Sequence, residues 1–365
     1  MMKIALTNRM KKPASKVELG LEEQTDDLYS WTAHVTNFYE DGPDDTLILI
    51  NNASRFVIYV FPIDMSSWKN LSTEAMENLL LAYIKRGLEK ANFSKKAIEH
   101  YLKKAGRSHL LKNQGRQRTA WFTMAMRHII AHITQNPNFH DRIEELDYLE
   151  NALFKVGEDY QFSFEYFQTL LAEELGHSVF ETDVFDLSID LDAGAYTVHR
   201  LIRVPATSSF ADLHKIIQKA FGWENYHLYQ FELEKSRKEW IFTEVYSDFE
   251  DPRLSEAGDY QLKDFLRKGK KLTYIYDMGD YWEHEIQVVD AIKGYQEEVP
   301  VLLAAEYQTP PEDVGGPGGF MNFLEALENS NDPQHGDMVD WYGDRTWRRE
   351  YWSLHKLPRP LRDVL

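Results

Sequence analysis

Apolar positions along the first 62 residues recur with a period of two. Ser30 to Val35, Thr46 to Ile50 and Arg55 to Phe61 are rich in β-branched and aromatic residues, and Gly42-Pro43-Asp44-Asp45 and Asn51-Asn52-Ala53-Ser54 separate them. This spacing predicts strands and a short hairpin. From Ser72 the period lengthens to that of a helix, with Met76, Leu79, Leu80, Tyr83, Ile84 and Leu88 three or four apart. Ser94 is placed to cap a second helix running to about Lys104, with Gly106 as its stop. A third helix is expected over about Thr119 to Ile133, carrying Trp121, Phe122, Met124, Met126, Ile129 and Ile130. Asn136-Pro137-Asn138 breaks it, Ile143 to Val156 is amphipathic, and Phe164 to Leu175 reads as a further helix ended by Gly176.

Near residue 180 the period returns to two. Val184 to Leu191 and Tyr196 to Val204 form a predicted hairpin about Asp192-Ala193-Gly194, and Pro205 ends its second strand. Ser209, with Asp212 three residues on, is an N-cap signature for a helix whose apolar face is Phe210, Leu213, Ile216, Ile217, Ala220 and Phe221. Gly222 closes it. Strands are expected at His227 to Glu234 and Trp240 to Val245, with loop at 248–252. The pattern is α+β in two domains: a small sheet followed by helices over 1–135, a helical segment over 136–182, and a sheet with a packed helix over 183–365.

Composition agrees with two folded domains, since 365 residues with 43% hydrophobic and 13% aromatic content can bury a core in each half. The absence of cysteine excludes disulfides, thiolate metal sites and a thiol nucleophile. No apolar run approaches the roughly 20 residues that span a bilayer, so a cytoplasmic protein with no membrane partner is expected. Charge separates the halves. Residues 1–180 hold 24 acidic and 21 basic side chains, and 181–365 hold 35 and 20, so the net charge of −18 lies mostly in the second half. Such a surface repels a phosphate backbone at long range.

The densest chemistry is Tyr276 to Ile286, YDMGDYWEHEI. A two-residue turn at Met278-Gly279 would pair Tyr276 with Tyr281, Ile275 with Trp282 and Thr273 with His284. It would then place Asp277, Asp280, Trp282 and His284 on one face with Ile275 and Ile286. Asp and His on one face suit a divalent metal or proton transfer, with Glu312 and Asp313 of the following Gly-rich loop as helpers. The plainer expectation is structural: Trp282 fills core, His284 is a half-buried partner for a turn Asp, and the Asp side chains hold the turn.

The loop from Pro310 to Gly319 precedes an amphipathic stretch at Phe320 to Glu328. It lacks the Lys-Ser/Thr of a P-loop and is acidic on entry, so no nucleotide or other cofactor is expected. His128 and His132 stand at i, i+4 without the Glu of a zincin. Lys103 to Arg118 is the most basic stretch. Lys103, Lys104, Arg107, Lys112, Arg116 and Arg118 are candidate nucleic-acid contacts, although no aromatic platform interleaves them, and a solvated loop is the simpler expectation.

Four blocks carry a resemblance: YTVHRLIRVPATSSFADLHKIIQKAFGW, HLYQFEL, YIYDMGDYWEHEI and PPEDVGGPGGF. In this order and spacing, over about 183–345, they resemble the plasmid pRiA4b open-reading-frame-three-like family. The resemblance implies a compact, β-grasp-like α+β domain of bacteria, with members in plasmids and mobile elements, and it brings no assigned reaction. Asp277, Gly279, Asp280, Trp282, His284, Glu312, Asp313, Gly315, Gly316 and Pro317 match its pattern. His199-Arg200-Leu201 stands where the family usually has Trp-Arg-Arg, and Tyr229 where it often has a second His. Over 1–135, the MKI start and the hairpin LINNASRFVIYVF resemble a small bacterial domain of unknown function.

The leading expectation is therefore a binding or interaction module, non-catalytic, for a protein or small-molecule ligand. A metal-dependent or acid/base enzyme centred on the 276–286 hairpin ranks second. Nucleic-acid binding through residues 103–118 ranks third.

Overall fold

A computed structural model describes residues 1–37, 46–114, 118, 120–125, 127, 155–156, 161–235, 238–244, 253–343, 347–351 and 357–361. The chain divides into two compact units, Met1–Glu181 and Thr182–Leu365. Both are α+β, as the periodicity predicts. No helix among the described residues is long and apolar enough to cross a membrane.

In the first unit the strands are β1 (Met2–Leu6), β2 (Ser30–Thr36), β3 (Thr46–Asn51) and β4 (Val57–Val60). Helices α1 (Thr73–Lys90) and α2 (Lys95–Ala105) follow, then β5 (Ser108–Lys112). The sheet order is β4-β3-β2-β1-β5, with β1 parallel to both β2 and β5 and the other pairs antiparallel. Helix α2 begins at its predicted cap, Ser94, which accepts from the Ala97 amide, and α1 begins after Ser72, where the helical period starts and whose side chain accepts from the Ala75 amide. The Asn51–Ser54 turn is held by the Asn51 side chain, which accepts from Ser54 N and donates to Leu28 O. A short hairpin, β6 (Lys155–Val156) and β7 (Gln161–Phe162), leads into α3 (Ser163–Leu175), whose Phe167 and Leu171 lie in this unit's core beside Trp31 and Phe56.

The basic stretch is not one loop. Lys103 and Lys104 end α2, and Ser108–Lys112 is an edge strand, because Leu110 and Leu111 bury themselves by pairing alongside β1. Lys104 is ion-paired with Glu174, and Arg118 with Asp26. Arg116 lies outside the described residues, as do His128, His132 and most of the expected third helix.

The second unit carries β8 (Thr182–Asp192), β9 (Thr197–Pro205), α4 (Phe210–Phe221), β10 (Tyr229–Lys235), β11 (Lys238–Thr243) and β12 (Leu254–Glu256). After the single-turn α5 (Leu262–Phe265) come β13 (Lys271–Tyr276), β14 (Trp282–Tyr295), β15 (Val301–Glu306), α6 (Gly316–Glu328), α7 (His335–Tyr342) and β16 (Arg359–Pro360). Nine strands form one sheet in the order β12-β11-β10-β13-β14-β8-β9-β15-β16. Helix α4 starts with the complete capping box expected of Ser209 and Asp212, and ends on Gly222 at φ 80°. Its six predicted apolar positions are all buried against the sheet, the five larger side chains each contributing roughly 2 kcal/mol by leaving water and Ala220 less. The α6 start falls at Gly316, four residues before the amphipathic stretch.

The β13–β14 register corrects the expected one. Tyr276 pairs with Trp282, Tyr274 with His284 and Leu272 with Ile286, and Ile275 is opposite Glu283. The turn is Asp277–Tyr281, longer than two residues, with Asp277 and Tyr281 both at φ 57°. The odd loop length reverses which face each side chain takes. Trp282, His284 and Ile286 therefore share the core face with Tyr274 and Tyr276, and Ile275 lies on the other.

Candidate functional site

At one end of the nine-stranded sheet, four connections meet: the 193–196 turn, the 223–228 segment, the 277–281 turn and the loop before α6. The register correction separates the sequence-predicted residues into two groups. Trp282 is inside the core near Trp223, with ring centres 6.2 Å apart. His284 is fully buried, edge-on to Phe221 and Trp223, and its Nδ1 donates to the carbonyls of Trp282 (3.0 Å) and Tyr274 (3.2 Å). Burial pushes its pKa down to about 3, so the ring is neutral. It is a core residue, and it pairs with no turn Asp.

The acidic residues remain at the sheet end. Asp277 Oδ1 accepts from the Gly279 amide (2.8 Å), the turn-holding role expected of it. Asp280 instead reaches out of its turn and accepts from the Gly315 amide (3.0 Å). The Gly-rich loop fits against this turn because Gly316, at φ 67°, has no Cβ, and one would stand 2.6 Å from the Asp280 carbonyl oxygen. Glu312 Oε1 accepts from the Glu224 amide (2.8 Å) and from the Tyr276 hydroxyl (3.1 Å). Burial raises its pKa above the usual range, and the neighbouring charge of Asp313 adds to this in opposition to those hydrogen bonds. Trp223 Nε1 donates to Pro310 O (3.0 Å), fixing the loop's entry.

Sequence reasoning missed His227, which joins these carboxylates. Its Nε2 lies 3.0 Å from Asp313 Oδ1, 3.6 Å from Asp277 Oδ2 and 3.9 Å from Glu312 Oε2. That nitrogen is out of contact with water and has no hydrogen-bond partner of acceptable geometry. His227, Asp277 and Asp313 have ligand atoms mutually within 4.8 Å, a grouping able to hold a metal ion. The signal was non-local. β10 pairs Tyr229 with Tyr276, and the Asp277 amide donates to Leu228 O (2.9 Å), so the residues just before β10 lie beside the start of the 277–281 turn. Without that pairing, His227 reads only as the first residue of a strand. Around the cluster, Tyr226, Leu228, Met278 and Tyr281 are each between 42% and 52% exposed, an apolar rim about an acidic centre.

Residues 183–356 match the family described as plasmid pRiA4b ORF-3-like protein, and residues 3–166 match a domain of unknown function, DUF6933. The chain is 32% identical over 190 residues to the uncharacterized protein y4hQ of Sinorhizobium fredii (strain NBRC 101917 / NGR234), covering 50% of this chain and 92% of that protein. It is also similar to a solved structure, the protein of unknown function MM3350 from Methanosarcina mazei Go1. That match has 30% identity and a TM-score of 0.42, and covers 47% of this chain and 95% of the other. The four sequence blocks, the matched span and the nearly full-length coverage of y4hQ agree: the chain belongs to the plasmid pRiA4b ORF-3-like family.

Proposed function

We propose that the second unit is a binding module whose contact surface is organised by a divalent cation held by His227, Asp277 and Asp313, with Glu312 completing the set. The observation that carries this reading is the His227 Nε2 atom, shielded from water, without a hydrogen bond of acceptable geometry, and 3.0 to 3.9 Å from three carboxylate oxygens. Ligand atoms that share one ion at about 2.1 Å each stand about 3 to 4 Å apart, and the carboxylate oxygens lie 3.0 to 3.9 Å from His227 Nε2. One imidazole with carboxylates suits zinc, manganese or iron(II) in preference to calcium. The apolar rim of Tyr226, Leu228, Met278 and Tyr281 supports contact with a ligand or protein partner beside the ion.

The test uses the full chain, stripped with EDTA, and isothermal titration with Zn²⁺ and Mn²⁺. One ion should bind per chain with a micromolar or tighter Kd and raise the melting temperature. Asp313→Asn and His227→Gln should each weaken binding by about tenfold or more, the loss of one first-row metal ligand. Equal binding by wild type and both variants, or no binding below millimolar ion, would leave His227 as an ordinary imidazole among carboxylates and end the reading.

A further inference from the structure

A second feature at this sheet end has no part in the cation cluster. A cleft of about 560 Å³ is lined by Asp190, Tyr196, His199, Glu306, Tyr307 and Arg349, among others, within the roughly 300 to 1,000 Å³ typical of small-molecule sites. We propose that it binds a small zwitterion of amino-acid or dipeptide size, with the ligand carboxylate on Arg349 and its ammonium group on Glu306.

Arg349 is set in place before any ligand arrives. Its guanidinium carbon lies 4.7 Å from the Tyr196 ring centre and 4.4 Å from that of Tyr307. Tyr196 donates its hydroxyl hydrogen to Gln308 O (3.0 Å), and the Gln308 amide donates to Arg349 O (2.8 Å). The strand end beneath is held by Arg200, which is fully buried and donates to the carbonyls of Glu306 (2.9 Å) and Tyr307 (3.1 Å) and to Thr309 Oγ1 (2.9 Å). The two rings hold the guanidinium in place. Among the described residues the Arg349 side chain has no carboxylate or hydrogen-bond partner. A planar fork of donors in a fixed position matches a carboxylate.

The opposite charge lies across the cleft. Asp190, His199 and Glu306 are direct neighbours on β8, β9 and β15, so they share one face of the sheet. Asp190 is engaged by His199 Nδ1 at 2.7 Å, whereas the exposed Glu306 carboxylate has no partner among the described residues. Among the described residues, a cation and a carboxylate without ionic partners therefore line one cleft and do not pair with each other. The surrounding half of the chain, with 35 acidic and 20 basic side chains, disfavours a net anion, and a zwitterion avoids that repulsion.

The test is ligand-observed NMR and isothermal titration on the full chain with EDTA present, which keeps the His227 cluster from contributing. The probes are free L-amino acids and simple dipeptides, followed by the N-acetyl and C-amide forms of the strongest binder. The expected result is saturable binding that falls about tenfold or more with either blocked end. Arg349→Leu should bind the acid and its amide equally, and Glu306→Gln should bind the amine and its acetyl form equally. Both side chains are exposed, so these variants keep the fold. No saturable zwitterion up to millimolar concentration, no penalty for blocking either end, or unchanged binding in Arg349→Leu would each overturn the proposal.

Discussion

The neutral, buried His284 makes the second unit acid-sensitive in a way that one substitution isolates. Its pKa falls from the ordinary 6.5 to about 3 through burial, so below pH 6.5 the unfolded chain takes up a proton that the folded chain refuses. The stability this residue allows is complete above pH 6.5 and is lost as pH falls from 6.5 toward 3. Each pH unit inside that window costs about 1.4 kcal/mol, and the step from pH 7 to pH 5 costs about 2 kcal/mol. His214 adds a similar slope. Burial holds it at about 3, with Nε2 donating to Asn225 Oδ1 and Nδ1 accepting from the Tyr274 hydroxyl. Glu312 works in the opposite direction, because its raised pKa makes the folded state take up a proton first as pH falls. His284→Gln removes one titrating group and leaves the other two, so their contributions cancel in the comparison. Urea unfolding would be followed by pulsed hydrogen exchange of peptides covering β13 and β14, at pH 7 and pH 5. The variant should lose about 2 kcal/mol less than wild type between the two pH values, whatever its baseline stability. Equal losses would mean that His284 is not held neutral in the core.

Two further changes test what holds the sheet end together. Gly316→Ala forces a Cβ to within 2.6 Å of the Asp280 carbonyl at φ 67°, whereas Gly318→Ala meets nothing within 4 Å. The first should cost about 1 to 3 kcal/mol and the second stay within about 0.5 kcal/mol of wild type in urea denaturation. Equal effects would refute the close approach of loop and turn. Arg200→Leu strips donors from the carbonyls of Ala220, Glu306 and Tyr307 and from Thr309. It should cost roughly 3 kcal/mol or more, because buried acceptors left unsatisfied are expensive, and a loss below about 1 kcal/mol by the same measurement would argue against this anchoring role.

What the sequence made legible was local. The Ser209/Asp212 capping box, the Gly222 stop and the six-residue apolar face of α4 depend on residues within one helix, and each is where periodicity puts it. The register of the 276–286 hairpin was not local in this sense. It turns on Asp277 and Tyr281 adopting left-handed backbone angles, and Tyr has no preference for them. The glycine of the turn, Gly279, invited a tighter reading than the chain adopts, and the difference moved His284 from a pocket wall into the core. His227 and β5 were hidden for the same reason. One needs the β10–β13 pairing, and the other needs the parallel pairing of Ser108–Lys112 with β1 to explain why Leu110 and Leu111 are buried amid basic residues.

The same register gives the sheet end its chemistry. With Tyr276 on the core face, its hydroxyl reaches Glu312 and the Tyr226 amide (3.1 Å), so the aromatic core itself fixes a carboxylate beside His227. Burial there raises the Glu312 pKa, and the neighbouring charge of Asp313 adds to it. The turn Asp277 adds a third acid that is also needed to hold Gly279. Three carboxylates thus gather 3.0 to 3.9 Å from one imidazole nitrogen that makes no hydrogen bond of acceptable geometry. A divalent cation held as proposed would offset the burial of the Glu312 charge and give that nitrogen a partner, so the packing that encloses the carboxylate also favours the proposed ligand.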